Sequence, residues 1–224
     1  MNIKKVPAVL AGLFVLLSFA ITAQAVKSKP TVDQTTAPQG GTFYYPLSSD
    51  PERLSPLGSG DMYGRYVRQY VLEGLMRTNP DTDELEPGIA KKYEVGKDGM
   101  SYTFYLREGV TFSNGEPVTA EVVKWNFEAR MDKRYKAFNI RPYLENIKDV
   151  EVIDKHTVRF NIKKKYFGNL DVICSFSIMG LVPKSVYGDP NNKRAHKKLV
   201  GTGPYMLKKY NKGRAIILER NPNW

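Results

Sequence analysis

The side chains that could carry chemistry are His156, His196, Cys174 and the acidic group Asp81, Asp83, Glu84 and Glu86. Histidine and cysteine together can cage zinc, and a thiolate beside an imidazole can attack a carbonyl, but both arrangements demand fixed spacing. His156 falls in Asp154-Lys155-His156, which reads as a hairpin turn, and His196 lies in a basic loop. Neither stands at ligand spacing from another donor, and a single cysteine builds no thiolate cage. Paired carboxylates can divide general-acid and general-base roles. The four acids here sit in a turn-like stretch and read as solvated. No Gly-x-Ser-x-Gly elbow, phosphate-binding loop or dinucleotide fingerprint occurs. The expectation is a protein with no catalytic residues, no metal and no cofactor, hence not an enzyme.

The elements that would position any site follow from periodicity. Lys4 and Lys5 precede an apolar run over 6–21 and then Ala23-Gln24-Ala25. That is the layout of a secretory signal peptide over 1–25, with Ala23 and Ala25 as the small residues before cleavage. The run is shorter than the ~20 residues that cross a bilayer comfortably, and no cysteine stands at the junction to take a lipid. An exported, soluble product is expected. The stretch 26–40 is poor in apolar residues and reads as a flexible leader. Aromatic-rich 41–47 reads as a first strand closed by Pro46. Tyr63, Val67, Tyr70, Val71 and Gly74 recur at helical spacing after Asp61, a plausible N-cap, with Pro80 and Asp81 ending the helix.

Further along, Tyr102, Phe104 and Leu106 alternate as in a half-buried strand. Asn114-Gly115 marks a turn, and Thr119 caps a predicted helix over 120–131 with Val123, Phe127 and Met131 facing inward. The stretches 150–152 and 158–162 form a predicted hairpin. The stretch 170–179, with Cys174 inside it, is too apolar to be exposed, and Cys174 reads as a small buried residue. A closing hairpin is predicted around Asn211-Lys212-Gly213. Strands and helices mix without regular alternation, so the fold class is mixed α/β of the α+β kind.

The net charge is +11. The basic residues are dispersed, with runs only at Lys163-Lys164-Lys165 and over 193–198, and no zinc-finger spacing accompanies them. They read as solvated faces, and nucleic acid is not an expected partner.

Five segments in order carry a family likeness. The first pair is Glu73-Gly74-Leu75 with Pro87-Gly88-Ile89-Ala90. Next comes 99–120, Gly-Met-Ser-Tyr-Thr-Phe-Tyr-Leu-Arg-Glu-Gly-Val-Thr-Phe-Ser-Asn-Gly-Glu-Pro-Val-Thr-Ala. Gly201-Thr202-Gly203-Pro204-Tyr205 and Glu219-Arg220-Asn221-Pro222-Asn223-Trp224 complete the set. Together they resemble the family 5 extracellular solute-binding proteins, the peptide, dipeptide and nickel receptors of bacterial ABC importers. The resemblance implies a type II periplasmic binding protein fold, in which two lobes close on a ligand. Residues 41–60 and 180–224 would form a discontinuous first-lobe domain and 61–179 its inserted second domain, with the second lobe missing from this chain.

It also implies a periplasmic monomer that takes a small peptide ligand and delivers it to an ABC permease at the inner membrane. The loop Gly60-Asp61-Met62 matches a cleft-lining loop that runs beside the ligand backbone in the peptide binders. Its other reading is a helix cap alone. Two alternatives to the receptor are a half-chain without ligand binding and a basic secreted module that adsorbs to anionic surfaces.

Overall fold

The alternation over 101–106 buries Phe104 and Leu106 while leaving Tyr102 and Tyr105 half covered, and that strand organises the largest sheet of the molecule. The computed structural model describes residues 40–58 and 61–224. The signal segment with Ala23 and Ala25, nearly all of the leader, and Gly60 lie outside the described residues.

The elements run in chain order as α1 (Met62–Arg68), β1 (Met76–Thr78), β2 (Leu85–Pro87), β3 (Ala90–Val95), β4 (Ser101–Leu106), α2 (Ala120–Met131), α3 (Arg141–Leu144), β5 (Ile147–Asp154), β6 (Thr157–Ile162), α4 (Asn169–Cys174), α5 (Phe176–Met179), α6 (Lys184–Tyr187), β7 (Tyr205–Asn211) and β8 (Ala215–Arg220). Short 3₁₀ turns occupy Lys133–Tyr135 and Lys193–Lys197. The fold class is mixed α/β, as expected. Strands β3-β4-β6-β5 make an antiparallel four-stranded sheet, flanked by the hairpins β1-β2 and β7-β8.

The helix α2 covers the predicted residues. Thr119 sits in extended backbone and its hydroxyl accepts from the Val122 amide, and the Ala120 amide donates to Lys155 in the β5–β6 turn at 2.9 Å. That bond ties the helix start to the sheet. Val123 and Phe127 point onto β5 and β6, and Phe104 meets Phe160 edge-on at 5.7 Å between ring centroids. Gly115 holds φ of 86° in the predicted turn, where a side chain would be strained.

Two apolar clusters result. One is drawn from residues between Leu75 and Leu181, around the four-stranded sheet and α2. The other joins Leu54, Leu57, Val67, Val71 and Leu72 to Ala129, Val182, Tyr187, Ala195 and Leu199, with Leu207, Tyr210, Ile216 and Leu218 packed against them. Between the clusters lies Arg130, 1% exposed, whose guanidinium donates to the Asn126 carbonyl at 2.8 Å and to Gly180 at 2.6 Å. Burial pushes its pKa down to about 9, so it stays a cation at neutral pH, solvated by carbonyl oxygens in place of water.

Two expectations are corrected. The stretch 41–47 forms no strand, because a strand needs a ladder partner and none of the described β-strands pairs with it. The first helix ends at Arg68, well short of Pro80. Its continuation is blocked because the Tyr70 and Val71 carbonyls accept from the Tyr205 and Gly203 amides at 3.1 and 2.9 Å. Carbonyls so engaged cannot serve the next helical turn. The hairpin β1-β2 and strand β3 were not anticipated. Strand β3 carries exposed Lys91, Lys92, Glu94 and Val95, so its alternation is masked.

Candidate functional site

Asp61 shapes the start of α1. Its backbone is extended, and its carboxylate accepts from the Gly64 amide at 2.5 Å. The second carboxylate oxygen faces the Arg68 guanidinium at 3.8 Å, and Arg68 also donates to the carbonyls of Asp61 and Arg53 at 3.2 and 3.3 Å. Burial is the main force lowering the Arg68 pKa, and the Asp61 charge opposes it. Gly64 makes this junction possible. A Cβ there would collide with the Arg68 guanidinium and stand 2.7 Å from the Asp61 carboxylate.

The residues expected to line a ligand cleft therefore separate by role. The Asp61 carboxylate is committed to the cap and to Arg68. Met62, the first residue of α1, is 60% exposed. It leads an outward strip with Arg65 and Gln69, and the Tyr66 hydroxyl donates to the Met62 sulfur at 3.1 Å. The Arg65 guanidinium lies 6.0 Å from the Phe176 ring centroid, a cation–π arrangement across to α5. Glu73 stands beyond the end of α1, and its side chain accepts from the Trp224 indole N–H at 3.2 Å while its carbonyl accepts from Leu181 at 3.4 Å. Trp224 is 66% exposed.

Behind this strip the motif segments interlock. A Cβ at Gly201 would fall on the Val71 carbonyl, one at Gly203 would stand 2.8 Å from the Val71 carbonyl carbon, and one at Gly74 would fall on the Cys174 carbonyl. Glycine is needed at each for backbones to touch. The Asn221 side-chain amide donates to Gly203 at 3.0 Å and its backbone amide to Pro204 at 2.8 Å. The Ser113 amide donates to Gly201 at 2.9 Å, so the 99–120 segment joins the same network. Motif glycines and Asn221 thus fix the scaffold, and α1 with Met62 and Arg65 is presented on top of it.

The other candidates have structural roles. Asp81, Asp83 and Glu84 belong to the β1–β2 loop and are exposed, while Glu86 lies in β2 opposite Arg77. Glu86 pairs with Arg77 at 2.8 Å, and its pKa is held low chiefly by the Asn79 amide. His156 sits in the β5–β6 turn, its amide donating to Asp154 at 2.7 Å. His196 receives the Leu54 amide on its carbonyl at 3.0 Å. Cys174 is buried, and desolvation pushes its thiol up to about 12. Among the described residues no group of three or more His, Cys, Asp or Glu is placed to hold a metal. A shallow groove of about 390 Å³ runs along α2 beside Trp125, Val152 and Lys184, on a different set of elements from α1. What α1, Phe176, Glu73 and Trp224 offer is a thioether, a guanidinium, rings and a carboxylate, a set suited to non-covalent recognition.

Arg65, Phe176 and the Glu73–Trp224 pair were missed from the sequence. Glu73 and Trp224 fall within the motif segments, but their pairing spans 151 residues and leaves no local trace.

Comparisons with known proteins agree with this architecture. Residues 84–224 match the family described as bacterial extracellular solute-binding proteins, family 5 middle. Protein XP55 of Streptomyces lividans is 33% identical over 181 residues, covering 80% of this chain and 32% of that protein. The di/tripeptide-binding protein 4 of Pseudomonas aeruginosa is 30% identical over 69% of this chain and 32% of its own. Among solved structures, NikA from Brucella suis in complex with Fe(III)-EDTA superposes with a TM-score of 0.67 at 29% identity, over 78% of this chain and 35% of that one. The agropinic acid complex of AgaA gives 0.70 at 26% identity, over 78% and 35%. The chain spans about a third of the length of the curated relatives it matches.

Proposed function

Because the chain belongs to the bacterial extracellular solute-binding proteins of family 5, we propose that it is part of the substrate-binding component of an ABC importer, taking short peptides reversibly in the periplasm. The fold is that of the type II periplasmic binding proteins, of which this chain spans about 35%. The observation that carries the reading is the interlocked scaffold. Four motif segments converge to hold α1 with Met62 and Arg65 facing outward, while the Asp61 carboxylate is used internally.

Ligand contact at this loop falls to the Met62 side chain and the Gly60–Met62 backbone, which would add hydrogen bonds to an extended peptide as a neighbouring strand does. Arg65 and Phe176 supply a cation and a ring beside it. The names of relatives support peptide as the ligand class, since one is a di/tripeptide-binding protein and another an oligopeptide-binding protein. The ligand-bearing unit works as a monomer that docks on an inner-membrane permease. Residues 41–60 with 180–224 form one domain of the first lobe and 61–179 the other. The packing of Leu54 and Leu57 with Val182, Tyr187, Ala195 and Leu199 supports the pairing of 41–60 with 180–224, and Val67, Val71, Leu72 and Ala129 of 61–179 join the same cluster.

The test is mass spectrometry of small molecules retained by the protein purified from its natural host, followed by calorimetric titration with those found. Short peptides that rebind support the reading. Recovery of metal chelates or sugar acids only, with no heat from any di- or tripeptide pool, overturns the peptide assignment.

A further inference from the structure

Outside the α1 face, one surface feature is built from both charge and rings. The loop 163–167 reads Lys-Lys-Lys-Tyr-Phe, and all five residues are exposed. Phe167 is 88% exposed and Tyr166 51%, their rings stacked at a tilt with centroids 4.6 Å apart. The two rings touch each other yet both stand out in solvent, an apolar pair open to a partner.

The loop is held firmly from below. The Asn146 side chain donates to the Lys164 carbonyl at 2.8 Å and to Asn169 at 2.7 Å, and accepts from the Lys164 amide at 3.2 Å. Asn169, 4% exposed, donates to the same Lys164 carbonyl at 3.3 Å. Lys163 is drawn back, its ammonium donating to the Glu145 carbonyl at 2.6 Å. The Lys165 stem lies over the turn at Gly99. Among the described residues none of these three ammoniums is ion-paired with a carboxylate. Arg141 and Lys148 add positive charge on the segment that Asn146 belongs to, against Glu145 and Asp171. That segment also exposes Tyr143, 60% accessible.

We propose that the 163–167 loop is a membrane-surface contact that engages anionic phospholipid headgroups. Lys164 and Lys165 would sit at the phosphates, and Tyr166 and Phe167 would enter the boundary between headgroups and acyl chains. Aromatic rings favour that interface, and lysines beside them are drawn to a negative surface. The commitment to lipid rests on this pairing of unpaired ammoniums with exposed rings on a rigid tip, and on the positive balance of the chain. It is independent of which solute the protein carries.

The experiment is co-sedimentation of the whole protein with vesicles of equal parts phosphatidylglycerol and phosphatidylcholine, against vesicles of phosphatidylcholine alone. Binding to the anionic vesicles that weakens with salt is expected. Each lysine contributes about five-fold, so the double variant Lys164→Gln with Lys165→Gln binds about 25-fold more weakly. Phe167→Ser weakens binding while leaving most of the salt dependence. The double variant Lys193→Gln with Lys197→Gln, in the other basic run, binds as the parent does. Equal losses in both lysine pairs would mean diffuse charge and overturn the site, as would no binding to anionic vesicles at low salt. Capture only by vesicles that also carry a membrane protein would overturn lipid in favour of a protein partner. All substituted side chains are exposed, so thermal melting of the variants should match the parent.

Discussion

Asp61→Ala separates the two roles open to the residue at the head of α1. The substitution removes the carboxylate that accepts from the Gly64 amide and leaves Arg68, 5% exposed, facing only carbonyls. Loss of an N-cap costs about 1 kcal/mol. Losing the charged partner of a buried guanidinium costs about 1–3 kcal/mol. The 3.8 Å separation and the partial exposure of Asp61 place the second figure at its lower end. A total of about 2–3 kcal/mol corresponds to a fall in melting temperature of roughly 5–10 °C for a chain of this size. Asp61→Asn keeps a side-chain oxygen for the cap and should recover about half of the loss. Differential scanning calorimetry on the protein and both variants reads the stability, and titration with a bound peptide reads the affinity. A stable Asp61→Ala protein that has lost peptide binding would refute the structural assignment and return the carboxylate to the ligand site.

Other expectations follow from the same geometry. Gly201→Ala and Gly74→Ala each drive a methyl group into a carbonyl, of Val71 and of Cys174, and should destabilise by about 2–4 kcal/mol in urea unfolding. Cys174, with its thiol pushed up to about 12, should resist iodoacetamide at pH 8 until denaturant is added. Fast alkylation of the native protein would contradict the burial. Glu86, its pKa lowered first by Asn79 and then by Arg77, stabilises the folded state above the ordinary carboxylate range. That contribution fades as pH falls through the lowered value. In an NMR titration Asn79→Ala should move the Glu86 midpoint upward, and an unchanged midpoint would remove Asn79 as the cause.

Local pattern was a good guide where the chain folds on itself. The helix α2 and its Thr119 cap, strand β4 and the β5–β6 hairpin were legible because their partners are near and their alternation or helical period is clean. The α1 helix was read too long, since Tyr70 and Val71 do continue the helical period. Only the distant Gly203 and Tyr205 amides divert their carbonyls. Strand β3 was hidden by its lysines. At the candidate site, the capping role of Asp61 could be read from its neighbours, whereas its pairing with Arg68 and the Arg65–Phe176 contact needed the packed chain. The motif segments announced a family without announcing their job, which is to bring backbones into contact.

That contact also sets a timetable for folding. The Glu73–Trp224 bond closes a separation of 151 residues and the Asp50–Gly213 bond one of 163. The sheet around Phe104 and Phe160 draws on nearby strands and can condense early, but the residues around Leu54, Val67 and Val71 remain without a cover until the 182–218 region is present. Assembly dominated by such distant closures is slow. A chain emerging from one end should therefore pass through a half-condensed state, sheet formed and front segment loose, whose apolar side chains stay open to a chaperone until residues 182–218 arrive.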